Sequence, residues 1–149
     1  MPLTTNRANA VVNYITDNVP ISFGGSNWYI GLSTEDIGPD SYQTIPDSSL
    51  FSLGRGYSRK PIGRTTADWN EPLNGEVTNT NEVEFFNNNS SEWGVMKSIF
   101  VAESQSGSGI WFYTKISPPL HINGKTRVKF SPNSLAFKLE NPNSPIKVF

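Results

Sequence analysis

Cysteine is absent from the 149-residue chain, histidine occurs once, and no apolar run approaches the roughly 20 residues needed to span a bilayer. Without cysteine there are no disulfides, thiol nucleophiles or thiolate metal sites. A lone His121 excludes histidine-rich metal centres, and the acidic residues lack the spacing of a calcium loop, so no metal site or cofactor is expected. Charge of one sign is missing too: twelve Lys and Arg face thirteen Asp and Glu, and the basic residues are scattered. Such a surface has no field to draw in nucleic acid or an anionic membrane, so neither is expected as a partner. The first residues lack the apolar core of a secretory signal peptide, which predicts a soluble protein not exported by that route. The length suits one domain that buries about 70% of the surface its unfolded chain exposes.

What is present is mostly strand pattern. Ala8, Val11, Val12, Ile15 and Val19 recur at the spacing of one helix face, which predicts a short amphipathic helix over residues 6–18. Thr4 or Thr5 is suited to cap it and Pro20 to stop it. Trp28, Ile30 and Leu32 alternate with Tyr29 and Gly31 as in a strand with one buried face. A stretch over 34–55 then shows no sustained period. Loops of that length usually serve a function or a contact; Leu50, Phe51 and Leu53 within it either fold back on the core or meet a partner. Residues 56–63 read as a strand carrying Tyr57, Arg59 and Pro61, its proline arguing for an edge or a strand end, and 67–75 as a turn-rich connection with one aromatic anchor, Trp69.

Further strands are predicted at 82–86, 93–102, 110–116, 125–130 and 135–139. A glycine- and serine-rich hairpin joins the second and third of these. Residues 118–124 read as a connector, with Asn123-Gly124 suited to a turn that needs positive φ. Six to eight short strands at this spacing predict a mainly β protein: an antiparallel β-sandwich or jelly-roll-like barrel with one N-terminal helix. Residues 1–140 form the domain in this reading, and 141–149 a C-terminal extension or arm whose apolar residues are Ile146, Val148 and Phe149.

Catalytic constellations are missing. His121 stands in a Pro-Pro-Leu-His-Ile context with no nucleophile motif beside it, so it reads as a structural residue. Glu82 and Glu84 share one strand face, where a solvated surface explains them better than paired acid–base work. No glycine-rich phosphate loop precedes a helix. Four tryptophans raise the question of a sugar-stacking face; Trp28, Trp93 and Trp111 fall in strands and read as core, which leaves Trp69, with Tyr42 in the 34–55 loop, as the candidate glycan platform. No catalytic, cofactor or metal residue is predicted.

The order of segments resembles a family of small virion proteins of tailed bacteriophages, tail-fibre-like or head-decoration proteins. The resemblance is carried by Trp28-Tyr-Ile-Gly-Leu-Ser-Thr34, Gly56-Tyr-Ser-Arg59, Asn79-Thr-Asn-Glu-Val-Glu-Phe85 and Trp93-Gly-Val-Met-Lys-Ser-Ile-Phe-Val101, then the bulky strand at 110–116 and the segments at 119–130 and 135–139. In this resemblance Gly56 and Gly94 serve close backbone approach, and Trp93 and Trp111 supply bulk. It implies a non-enzymatic virion component, foremost a capsid decoration (cement) protein clamping subunits of the major capsid protein. The alternative is a tail-fibre or baseplate-associated piece that binds tail proteins or a host glycan. A homo-oligomer, with a trimer favoured, is implied too. The segments 34–55 and 141–149 depart from the family pattern, which makes Leu50, Phe51, Leu53, Ile146, Val148 and Phe149 the expected partner contacts.

Overall fold

A computed structural model describes residues 1–138. The expected helix is α1 (Thr5–Asp17), and its termini are built differently from the expectation. Thr4 holds the capping position, but its buried hydroxyl donates to the Ile110 carbonyl at 2.7 Å instead of capping the first turn. The helix stops before Pro20, at Asn18 in the left-handed region (φ 54°), where the N–H groups of Asn18 and Val19 cover the carbonyls of Tyr14 and Asn13. Asparagine tolerates that conformation better than most residues.

Strand β1 (Asn27–Ser33) is central in a four-stranded antiparallel sheet with β2 (Lys60–Gly63), β5 (Gly94–Ala102) and β6 (Ile110–Ile122), in the order β2-β1-β5-β6. Two antiparallel ladders face it: β3 (Glu76–Thr78) with β8 (Ala136–Lys138), and β4 (Val83–Asn87) with β7 (Thr126–Phe130). Between the layers lies the main core, where Ile30, Leu32, Ile99 and Val101 meet Val83, Phe85, Leu135 and Phe137. The Phe112 and Phe137 rings stack across it with centroids 4.5 Å apart. The architecture is sandwich-like and antiparallel, with an open sheet instead of a closed barrel.

The four-stranded sheet is covered on its other face as well. Phe100, Ala102, Ile110 and Tyr113 form a second cluster there, joined by Ile37. Gly31 is required beneath it, because a Cβ at that position would lie 2.3 Å from the Phe100 ring. The cover is the irregular 34–55 segment, which contains a 3-10 turn (Ser41–Gln43) and a one-turn helix α2 (Ser48–Ser52). Ser33 Oγ donates to Pro46 O at 2.6 Å and Ser98 Oγ to Glu35 O at 2.8 Å, tying this cover to β1 and β5.

The sheet's edges differ from the sequence reading in one respect. β2 is an edge strand, as Pro61 suggests, but β6 does not stop at residue 116. It runs on through Pro118 and Pro119, which sit in an irregularity where the register with β5 jumps from Ser98↔Lys115 to Met96↔Leu120. Prolines fit because a bulge on an edge strand has no ladder donors to lose. Over its first half, β6 is covered by the chain's opening residues: Leu3 bridges to Phe112, and Tyr113 N–H donates to the Pro2 carbonyl.

The roles assigned to glycines also change. Gly56 and Gly94 are not sites of close approach; both take positive φ (76° and 107°), where side chains are strained. In the β6–β7 turn the positive φ falls on Lys125 (55°), whereas Gly124 is needed because a Cβ there would lie 2.1 Å from the Ser90 carbonyl oxygen.

Candidate functional site

Trp69 follows a tight turn in which its own N–H donates to Thr65 O at 3.2 Å, and its indole N–H donates to Gly63 O at 2.8 Å. The indole therefore lies fixed against Phe137, with ring centroids 4.6 Å apart. Behind this pair Asn79, fully buried, donates to the carbonyls of Asn81 and Ser131 and accepts from Leu135 N–H at 2.9 Å. That one amide joins the 79–81 and 131–135 segments, which lead out of β3 and into β8.

The result is an open apolar groove of about 840 Å³ whose walls are Trp28, Trp69, Val77, Phe112 and Phe137. Trp28 and Phe112 reach it from β1 and β6, with centroids 5.8 Å apart. Arg64, Glu71, Glu76 and Lys138 form its charged margin. The polar groups near it are largely engaged with one another. Lys138 pairs with Glu76 at 3.2 Å, Asn70 Nδ2 donates to Thr78 Oγ1 and Asn133 Oδ1, and Arg64 lies over the Phe23 ring. Such a surface is suited in character to apolar groups.

The other predicted contacts are dispersed. Leu50 is 1% exposed and lies in the core, and Phe51 packs against Tyr57 with centroids 5.3 Å apart. Both fold back, and of the three only Leu53, 39% exposed, faces outward. Tyr42 lies beneath the Arg7 guanidinium, and its hydroxyl donates to Glu103 at 3.3 Å. Partial burial and the Glu103 carboxylate raise its pKa. It does not line the groove, so Tyr42 and Trp69 form no common stacking platform. Ile146, Val148 and Phe149 lie outside the described residues.

Glu82 and Glu84 meet Lys129 at 3.8 and 3.7 Å, and Glu84 also pairs with Arg127, so the strand face is an ion-paired surface. His121 pairs with Glu92 on the surface. Among the described residues no group of three or more His, Asp or Glu side chains gathers to hold a metal, and no helix is long and apolar enough to cross a membrane.

The 34–55 segment is secured by a buried network that the sequence did not announce. Arg59 holds Asp47 through Nε and Nη2 at 2.8 and 2.7 Å, and its Nη1 donates to Ser104 O. Tyr57 hydroxyl donates to Asp47 at 2.8 Å and accepts from Leu32 N–H at 2.9 Å. Burial, then the adjacent carboxylate, pushes the Tyr57 pKa well above its usual value. These residues hold the fold together and present nothing to solvent.

A second apolar surface is exposed among the described residues. On α1, Ala8 and Val11 pack on the core, but Val12 and Ile15 are 54% and 73% exposed, and Val19, just past the helix, is 50% exposed. The predicted apolar face is thus only half used within the chain.

No curated protein matches the sequence. A family model described as podophage GP4 fiber I protein gp80 matches residues 2–138, all but the first of the residues whose structure is described, and agrees with the resemblance to tailed-phage virion proteins. By that match, the chain belongs to the podophage GP4 fiber I protein gp80 family.

Proposed function

We propose that the protein is a non-enzymatic structural subunit of a tailed-phage virion, placed in the fibre apparatus, where it joins fibre to tail. The family match over residues 2–138 carries this reading. It favours the tail-fibre alternative over the capsid decoration protein that the sequence resemblance put first. The uncovered stripe of Val12, Ile15 and Val19 supports a role in contact, since a repeated subunit gains by burying exposed β-branched side chains on a neighbour. The neighbours in this reading are tail proteins and further copies of the chain, with a trimer favoured.

The test uses particles assembled without the protein, separated into heads and tails, mixed with purified protein and pelleted. Saturable binding to tails supports the fibre reading. Binding to heads alone moves the protein to the capsid surface and overturns it. Light scattering of the purified chain reads the oligomer directly.

A further inference from the structure

Five of the nine large apolar side chains exposed among the described residues fall within one short stretch: Val12, Tyr14, Ile15, Val19 and Phe23. Scattered singly, such residues need no explanation; gathered, they mark a contact. They gather because the second half of α1 stands clear of the domain, with every residue from 12 to 20 exposed. The first half is held down: Thr4 N–H donates to Trp111 O and Thr5 N–H to Pro39 O, Arg7 lies over the Tyr42 ring, and Ala8 and Val11 pack on the core.

Nothing in the described chain accounts for a helix in that second half. Every residue from Val11 to Asp17 belongs to the weaker helix formers. The helix has no side-chain N-cap, no acidic residue in its first turn and no basic residue in its last. At 13 residues it has the length at which even alanine-rich helices are marginal in water. Burial of an apolar face has to supply the difference, and residues 12–17 are bare on all sides.

The face suits a second copy of itself. Between residues 8 and 20 the only charge is Asp17, which at 3.6 residues per turn points away from Val12 and Ile15. A symmetric contact sets a patch against the same patch, which a neutral face allows and a charged face resists. Ala8, at the foot of the helix, is followed by Val12 and Ile15 at the four-then-three spacing of a heptad seam, Val12 in the a-type and Ile15 in the d-type position. β-Branched residues at both positions favour three or four strands over two. Tyr14, about 100° round the helix from Ile15, puts an apolar group on a second side that a pairwise contact would leave bare.

We infer that the second half of α1 packs against the same helix of further copies of the chain, with Val12 and Ile15 facing the axis of a three-stranded bundle. This deepens the reading of the protein as a repeated virion subunit and rests on it for the presence of several copies in one place.

Two measurements on the full chain test it. Light scattering is expected to give a trimer for the unaltered chain and a monomer for Val12→Asp/Ile15→Asp, a fall of about threefold in mass, with a cooperative melt as the folding control. A monomeric unaltered chain overturns the inference, as does an oligomer that survives both substitutions. The absence of native cysteine allows Ile15→Cys, with Leu53→Cys, exposed elsewhere, as its control. Mild oxidation is expected to link Ile15→Cys into covalent dimers severalfold faster than Leu53→Cys, and equal rates overturn the inference.

Pelleting separates this result from the protein's place on the virion. A monomeric chain that pellets with tails overturns the inference in favour of a tail protein on α1 and leaves the fibre reading standing. An oligomer linked through Ile15→Cys that pellets with heads alone supports the inference and overturns the fibre reading.

Discussion

Arg59 and Asp47 form a two-pronged ion pair with neither side chain exposed to solvent. The pair fastens the 34–55 cover to the approach of β2, and the Phe100 ring lies 5.1 Å from the guanidinium. Removing one partner leaves the other charge buried and unmatched, which costs about 3–5 kcal/mol. Asp47→Ala is therefore expected to remove a large share of the total stability, read as a lowered urea midpoint. Asp47→Leu/Arg59→Met, which removes both charges, is expected to recover part of that loss.

Tyr57 makes stability depend on alkaline pH. Its pKa is raised in the folded state by burial and by Asp47. Its contribution is thus complete below the unfolded value of about 10 and is lost as pH rises through the folded-state value. Tyr57→Phe is expected to cost about 1–3 kcal/mol at neutral pH, since Leu32 N–H loses its acceptor. The same variant is expected to flatten the fall in stability above pH about 10, measured by denaturant titration at a series of pH values.

Gly31→Ala tests the second layer of the core. A methyl group there would meet the Phe100 ring at 2.3 Å, in the middle of the central strand. Overpacking of this kind costs about 1–3 kcal/mol. Phe100→Leu on its own is expected to destabilise, yet combined with Gly31→Ala it is expected to cost less than the sum of the two. A double-mutant cycle on melting midpoints reads that coupling.

Ile15→Asp and Leu53→Asp separate contact from stability. Both residues face solvent, so each change is expected to alter stability by no more than about 0.5 kcal/mol. Uptake into tails assembled without the protein is expected to fall for Ile15→Asp, because the stripe on α1 would then present a charge. Pelleting with tails measures it.

Much of the fold was legible where side chains alternate strongly or run apolar without a break. β1, β4 and β7 carry bulky residues at period two, β5 and the first half of β6 carry unbroken bulky runs, and the hairpin between β5 and β6 is marked by Gly and Ser. β8 falls within the strand expected at 135–139, whereas β3 is three residues long and is defined by its pairing with β8 more than by any pattern of its own. Asn79 and the Asp47–Arg59 pair were not legible, since a buried polar residue looks like a surface one until its partners are known. Asn79 bonds to Leu135, 56 positions away. Trp69 stood out as a loop aromatic, but the groove needed Trp28 and Phe112, which strand pattern assigns to the core. The extension of β6 through two prolines was not legible either, because prolines ordinarily signal a strand's end.

The two open sides of the four-stranded sheet have a bearing on life before assembly. Pro61 interrupts the donor row on β2, residues 2–4 occupy the near half of β6, and Pro118 and Pro119 break its far half. Neither side presents a continuous row of N–H groups on which another copy could lay a strand. A virion part must accumulate in a crowded infected cell until its mounting site exists, and at such concentrations an unbroken sheet margin would seed fibrils. With both margins of this sheet blunted, strand addition there is disfavoured, and contact with a neighbour falls to side-chain surfaces such as Val12 and Ile15 on α1.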